Sequence, residues 1–129
     1  VPKPEYCVEL PSITAGEDTP VHALLRSASR PTAIVVSDDI LALTLERICT
    51  ETGLSIPADL SILSFNNSLF ARLTSPQLTS IDINSCQLGM EAAAQMISHI
   101  ENPGLPATKI LVPHQLIERD SCARPASHE

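Results

Sequence analysis

The sequence predicts an α/β fold, a parallel sheet flanked by helices, on three observations. An apolar run, Thr32–Val36, stops abruptly at Ser37-Asp38-Asp39. A helical pattern follows to Thr52, where Gly53 ends it. A second apolar run, Leu60–Phe65, stops at Asn66-Asn67. Strand, helix and strand therefore follow one another, with hydrogen-bonding side chains at the carboxyl ends of both strands. Open parallel sheets bind ligands at that edge, because loop side chains and helix N-termini converge there. A small-molecule site near Asp38 and Asn66 is the first expectation.

Each further element has its own signal. Tyr6–Leu10 is a short candidate strand, followed by a polar loop through Ser12, Thr14 and Gly16. Thr19 reads as an N-cap with Pro20 at the first helical position, where a missing N–H costs nothing. Val21, Leu24, Leu25 and Ala28 then fall on one helical face. In the helix after Asp39, Leu41, Leu45 and Ile48 form a stripe expected to pack on the sheet. Leu43 lies almost opposite, flanked by Ile40 and Arg47, which suggests a partner surface. Ser68 is positioned to cap a short helix holding Leu69, Phe70 and Leu73. After Pro76, Leu78–Ile83 reads as a strand, with Ile81 and Ile83 on one face and Ser80 and Asp82 on the other. A helix from about Cys86 to Glu101 is expected to bury Leu88, Ala92, Met96 and Ile100, and Asn102-Pro103-Gly104 ends it. Ile110–Ile117 is the last strand, and Pro113 suggests an edge or irregular position.

Length and charge bound the function. At 129 residues the chain makes one domain with a real core. Eight basic against fifteen acidic residues leave a net charge of −7, which argues against nucleic-acid binding by this segment. With no Trp, one Tyr and two Phe, stacking on bases or sugar rings is scarcely available. No run is long and apolar enough to span a bilayer, and no signal-peptide pattern opens the chain. The start at Val1 without methionine suggests an excised fragment. Cys7, Cys49, Cys86 and Cys122 are widely spaced, with no CxxC and no His at ligand spacing, so they read as cytosolic thiols rather than zinc ligands or disulfides.

The candidate chemistry is binding, not catalysis. Of Asp38 and Asp39, one is expected to face a ligand while the other caps the following helix, where the dipole favours an anion. Asn66 and Asn67 offer amide donors and acceptors without a titrating group, which suits hydroxyl-rich ligands, and a turn role is the alternative for Asn67. Ser37, Ser64, Ser85 and Cys86 have no nucleophile elbow around them, and four glycines make no phosphate loop. His22, His99, His114 and His128 read as surface or internally satisfied histidines. A hydrolase pairing Asp38 with His114 is the weakest reading, since nothing in the sequence brings them together. No cofactor and no metal are expected.

The strings PTAIVVSDDILALT, GLSIPADLSILSFNN, SPQLTSIDI, LGMEAAAQMI and LVPHQLIERDS run from about Arg30 to Cys122. In that order and spacing they resemble the LacI/GalR family of bacterial transcriptional regulators. SFNNSLFARLTSPQLTSIDIN and VPHQLIERDSC look most like the maltose and α-glucoside operon repressors within it. The resemblance implies a periplasmic-binding-protein-like effector domain in which two lobes clamp a sugar. Residues 1–122 would hold most of its C-terminal lobe, and 123–129 a tail. About 85–108 would pack on an N-terminal lobe absent from these residues. Operator DNA would be bound only through a separate N-terminal domain, in a cytoplasmic homodimer not associated with membrane.

Matched position by position, Asp38 and Asn66 fall where the family contacts its effector, with Asn67 beside them. Ile83 and Ser85 fall where other members place polar or aromatic pocket residues. Leu43, Arg47, Leu73 and Thr74 match subunit contacts. Thr44 and Ser64 stand where the family has glycine. The implied function is a sugar-responsive repressor of carbohydrate utilisation, not an enzyme. The alternative is a periplasmic-type sugar-binding protein of a transport system. With the N-terminal lobe absent, the Cys86–Glu101 stripe is expected to be buried against a second copy or folded back on its own sheet.

Overall fold

Three short strands and the turns between them organise the molecule, and each turn is built by an identifiable side chain. The computed structural model describes residues 7–9 and 20–125. Helix α1 (Pro20–Arg26) leads to β1 (Ala33–Val35), α2 (Asp39–Thr52), β2 (Ser61–Phe65), α3 (Leu69–Leu73) and β3 (Thr79–Asp82). Helix α4 (Ser85–Glu101) and β4 (Gln115–Ile117) complete the order. The sheet runs β1-β2-β3-β4. Its first three strands are parallel, and β4 pairs antiparallel with β3 through Asp82↔Gln115 and Ser80↔Ile117. The sheet is therefore mixed, with β4 on the edge that Pro113 foretold, although the strand begins only at Gln115.

Helix α2 is the best specified element. Asp38 is extended at φ −157° and starts it, and Gly53 ends it at φ +74°, a conformation that suits a residue without Cβ. The N–H of Gly53 donates to Thr50 O at 3.2 Å and that of Leu54 to Cys49 O at 2.8 Å, so the last carbonyls are satisfied by a Schellman pattern. Ala42, Leu45, Ile48 and Cys49 are buried, while Leu41 packs half-buried against the same core. The core then continues through Leu60, Ile62, Ala71 and Leu78.

Helix α1 stops two residues earlier than the apolar spacing suggests. The Ser29 N–H donates to Ser27 Oγ at 3.2 Å and the Arg30 N–H to Ser27 O at 3.1 Å, closing a turn that competes with another helical step. Ala28 is consequently exposed, not part of the buried face. Of the Tyr6–Leu10 candidate strand only residues 7–9 are described, and they carry no regular structure. The Thr19 cap and His128 lie outside the described residues.

The C-terminal segment corrects another expectation. Ser121 is fully buried beside β2, level with the first residue of β3. Its carbonyl accepts from Ile62 N–H at 2.9 Å, and its hydroxyl donates to Ile62 O at 2.6 Å and accepts from Thr79 N–H at 2.8 Å. Ala123 exchanges two hydrogen bonds with Ser61 Oγ, at 3.1 and 3.2 Å. The chain is thus pinned at Ala123, one residue into the segment expected to be a loose tail.

Helix α4 departs furthest from its expected packing. It forms over the expected residues but buries none of them. Met96 is 66% exposed and Ile100 72%, and Leu88 and Ala92 are exposed as well. The stripe is therefore not folded back onto its own sheet. Helix α4 and the following residues to Pro113 leave the sheet after Asp82 and return to it at Gln115, the residue paired with Asp82. No helix among the described residues is long and apolar enough to cross a membrane.

Candidate functional site at the carboxyl edge of the sheet

The two adjacent aspartates divide their work in a way the sequence left open. Asp38, half-buried, is the helix cap: its Oδ1 accepts from Leu41 N–H at 2.8 Å. Asp39, the first residue of α2, turns inward and is buried. Its Oδ1 accepts from the Ser64 hydroxyl at 2.6 Å and the Ser80 hydroxyl at 2.9 Å, and its Oδ2 from Ser68 N–H at 2.6 Å. Burial pushes the Asp39 carboxyl upward, yet the hydrogen bonds from Ser64, Ser68 and Ser80 more than offset this and hold it below the ordinary range. Asp39 is therefore a buried anion satisfied by three donors. Ser64, standing where the resemblance expects glycine, supplies one of them.

Beyond β2 the chain turns through two residues in the left-handed region, Asn66 at φ +92° and Asn67 at φ +45°. Asn tolerates this conformation better than most side chains. Three successive amides anchor the turn. Asn66 N–H donates to Ile81 O at 2.9 Å, Asn67 N–H to Ser80 Oγ at 3.0 Å, and Ser68 N–H to Asp39. Ser68 thus precedes α3 without a side-chain cap. Its Oγ is buried without a partner among the described residues.

The Asn67 side chain is engaged within the domain. Its Nδ2 donates to Asp82 Oδ2 at 2.9 Å, and its Oδ1 accepts from Arg119 Nη2 at 2.5 Å. The hydrogen bonds from Asn67 and from Asn84 N–H hold the Asp82 carboxyl below its ordinary range. Asn66 differs: it is exposed, and its side-chain amide makes no hydrogen bond among the described residues. Past β3, Ile83 is half-buried and Ser85 is exposed as the first residue of α4. Asn84 between them stands at φ +53°.

The edge thus brings together Asp38, Asn66, Ile83 and Ser85 at the exits of three adjacent parallel strands, with Asn67 behind them. Arg119, Ser80 and Asp82 were not singled out as site residues. Arg119 also donates from Nη1 to Leu78 O at 2.6 Å, and its N–H to Thr79 Oγ1 at 3.0 Å. Its place in the ERDS string was the available signal.

The candidate subunit contacts behave unevenly. Leu73 is 69% exposed, Leu43 is half-buried, and Arg47 is exposed and ion-paired with Glu51 one helical turn on. Thr74 is buried within the subunit.

His22 is buried with Nε2 3.5 Å from Glu51 Oε2, so it is an interior histidine. Asp38 and His114 follow β1 and precede β4, the two opposite edge strands, so they share no site. A groove of about 880 Å³ opens beside α1, β1 and α2, but Val21, Leu24, Ile34, Leu41 and Leu45 dominate its lining. It suits apolar packing better than hydroxyl recognition. Cys49 is buried, and the other three thiols are exposed and free. Among the described residues, no cluster of three or more His, Cys, Asp or Glu is placed to hold a metal.

Comparison with known proteins fits this geometry. The family of the periplasmic binding protein-like domain matches residues 3–122. The HTH-type transcriptional repressor PurR of Pectobacterium carotovorum is 35% identical over 103 residues, covering 80% of this chain and 30% of that protein. The ribose operon repressor of Haemophilus influenzae is 33% identical over 100 residues, covering 78% of this chain and 30% of that protein. Among solved structures, a LacI family transcriptional regulator from Enterococcus faecalis with bound ribose is similar, with a TM-score of 0.74 and 34% identity. That match covers 83% of this chain and 39% of the other. The chain spans under a third of the length of the two repressors. With this fold and the family match, the chain belongs to the periplasmic binding protein-like domain family and corresponds to part of the effector-binding domain of LacI-family transcriptional regulators.

Proposed function

We propose that this chain forms one wall of the effector site in a sugar-responsive transcriptional repressor that acts as a cytoplasmic homodimer. The observation that carries the reading is the unpaired Asn66 amide, held on a turn whose own backbone amides are all committed. An amide that both donates and accepts is suited to sugar hydroxyls. Asp38 caps α2 through one oxygen, leaving the other for a charge-assisted hydrogen bond, and Ile83 and Ser85 border the same edge. The opposite wall and the operator-binding domain belong to sequence beyond these residues. Sugar binding between two lobes would bias the dimer between operator-competent and incompetent arrangements through differential affinity for the two.

Ribose is the sugar in the E. faecalis relative's structure, and the H. influenzae relative is named for the ribose operon. A maltose or α-glucoside effector is the narrower proposal, supported by the SFNNSLFARLTSPQLTSIDIN string. The relatives are named as regulators, which favours this reading over a transport protein. Calorimetric titration of the regulator containing this chain with D-ribose and with maltose tests it. Saturable heat with one sugar supports the reading and chooses between the two. No heat with either sugar would overturn it.

A further inference from the structure

Asp39 belongs to none of the roles assigned so far. It caps no helix, is 1% exposed and pairs with no cation among the described residues, yet it gathers three donors from three separate elements. Ser64 comes from near the carboxyl end of β2, Ser80 from β3 and Ser68 from the turn before α3. The Ser80 hydroxyl is used twice, donating to Asp39 while accepting from Asn67 N–H. Asp39 thereby governs two of the three amide anchors of the 66–68 turn, one directly and one through Ser80. The third anchor, Asn66 N–H to Ile81 O, belongs to the sheet itself. A left-handed Asn66 is strained and persists only where its surroundings over-determine it.

We propose that Asp39 is a positioning residue for effector recognition: through Ser80 and Ser68 it fixes the turn that presents the Asn66 amide to the ligand. The inference rests on the effector-site reading for its ligand and on hydrogen bonds alone for its geometry. Asparagine cannot replace Asp39 neutrally. Its oxygen can serve Ser68 N–H, but its NH₂ then faces two hydroxyls that must find other acceptors, and the Ser80 proton has none. Alanine removes all three acceptor contacts. Ser80→Ala is the gentler variant, because it keeps two donors on Asp39 and releases only the Asn67 amide.

Hydrogen exchange on the 129-residue chain tests the geometry without any ligand. In Ser80→Ala the Asn67 amide loses its buried acceptor and should exchange about tenfold faster; in Asp39→Ala the Ser68 amide loses its acceptor directly, and the Asn67 amide should speed up as well because Ser80 loses the carboxylate that orients its hydroxyl. The Ile62 and Leu63 amides in β2 should keep their rates. Uniform acceleration of all these amides, or no change at Asn67, would overturn the proposal. Should Asp39→Ala fail to fold, Ser80→Ala decides alone.

Titration of the intact regulator with D-ribose adds a second readout. Asn66→Ala and Ser80→Ala should each weaken ribose about tenfold, and the double variant no more than Asn66→Ala alone, because one acts through the other. Losses that multiply to about a hundredfold would show that Ser80 and Asp39 do not act through Asn66. If the unaltered regulator does not bind ribose, the exchange result still decides the positioning role, while the ribose reading fails separately.

Discussion

Helices α2 and α4 make an instructive pair. Both carry apolar residues at helical spacing, and both follow directly from the end of a parallel strand. Helix α2 buries Ala42, Leu45, Ile48 and Cys49 against β2 and α3, whereas α4 buries no residue at all. The difference lies in where each chain goes next. After α2 the chain returns to a strand parallel to β1 and adjacent to it, which lays the helix across the sheet face. After α4 it returns antiparallel to β3 at the same edge it left, so the helix is carried outward as an arm. Apolar periodicity shows that a face needs cover; connectivity determines whether the same domain supplies it.

The sharpest way to break this comparison is to cut equivalent side chains in the two helices. Ile48→Ala removes a side chain exposed by only 1%, and loss of a buried Ile costs roughly 2–5 kcal/mol. Urea unfolding should show a lower midpoint with an unchanged slope. A shift below 1 kcal/mol would mean that α2 is packed no better than α4.

Glu46 sharpens the comparison from within α2, as a carboxylate on its partly covered side. Burial pushes its carboxyl up to about 7, and its Oε1 has no partner among the described residues. A raised carboxyl pKa means the folded state binds the proton more tightly, so the contribution of Glu46 to stability is most favourable below about 4.5 and is lost as pH rises through about 7. The loss amounts to at most about 3 kcal/mol. Glu46→Gln should flatten that slope and stabilise the chain at pH 8. Parallel urea midpoints for both proteins at pH 5 and pH 8 would refute the idea.

Leu73, exposed on α3 next to α2, extends the contrast to a surface expected to be covered by a second subunit. In a two-fold contact each substitution acts twice. Leu73→Glu should forfeit roughly 1.5–3 kcal/mol of burial per subunit and shift the regulator toward monomer in sedimentation. A variant that sediments as an unperturbed dimer would remove Leu73 from the interface.

The smallest effect is expected in α4. Met96→Ser on this chain should change stability by under about 0.5 kcal/mol, since nothing is uncovered that was covered before. A loss comparable with that of Ile48→Ala would show that the arm is packed in solution.

Local features were legible in the sequence because local residues decide them. Asp38 and Gly53 bound α2 through their own neighbours, and the Asn66-Asn67 turn followed from side chains that accept positive φ. The partition between Asp38 and Asp39 was not legible. Both carboxylates suit a cap and a ligand equally, and only the placement of Ser64 and Ser80, 25 and 41 residues further on, separates them. Arg119 and Ser121 escaped for the same reason, their partners lying 41 to 59 residues away. The α4 stripe was legible as amphipathic, but not whether its own sheet would cover it, because spacing carries no information about the neighbour.

Ser121 has a consequence in time as well as in space. Ile62 lies at the centre of the sheet, yet its N–H and carbonyl are both engaged by a residue synthesised 59 positions later. Between them the ribosome must complete α3, β3, the whole α4 arm and β4. A nascent chain can therefore pair β1 with β2 early, but the β2 side facing Ser121 stays open until the RDS segment emerges. Until then that side exposes an unpaired amide, carbonyl and apolar flank, the kind of edge on which chaperones and neighbouring chains act. Closure of the sheet thus waits for a segment made 59 residues after the strand it completes.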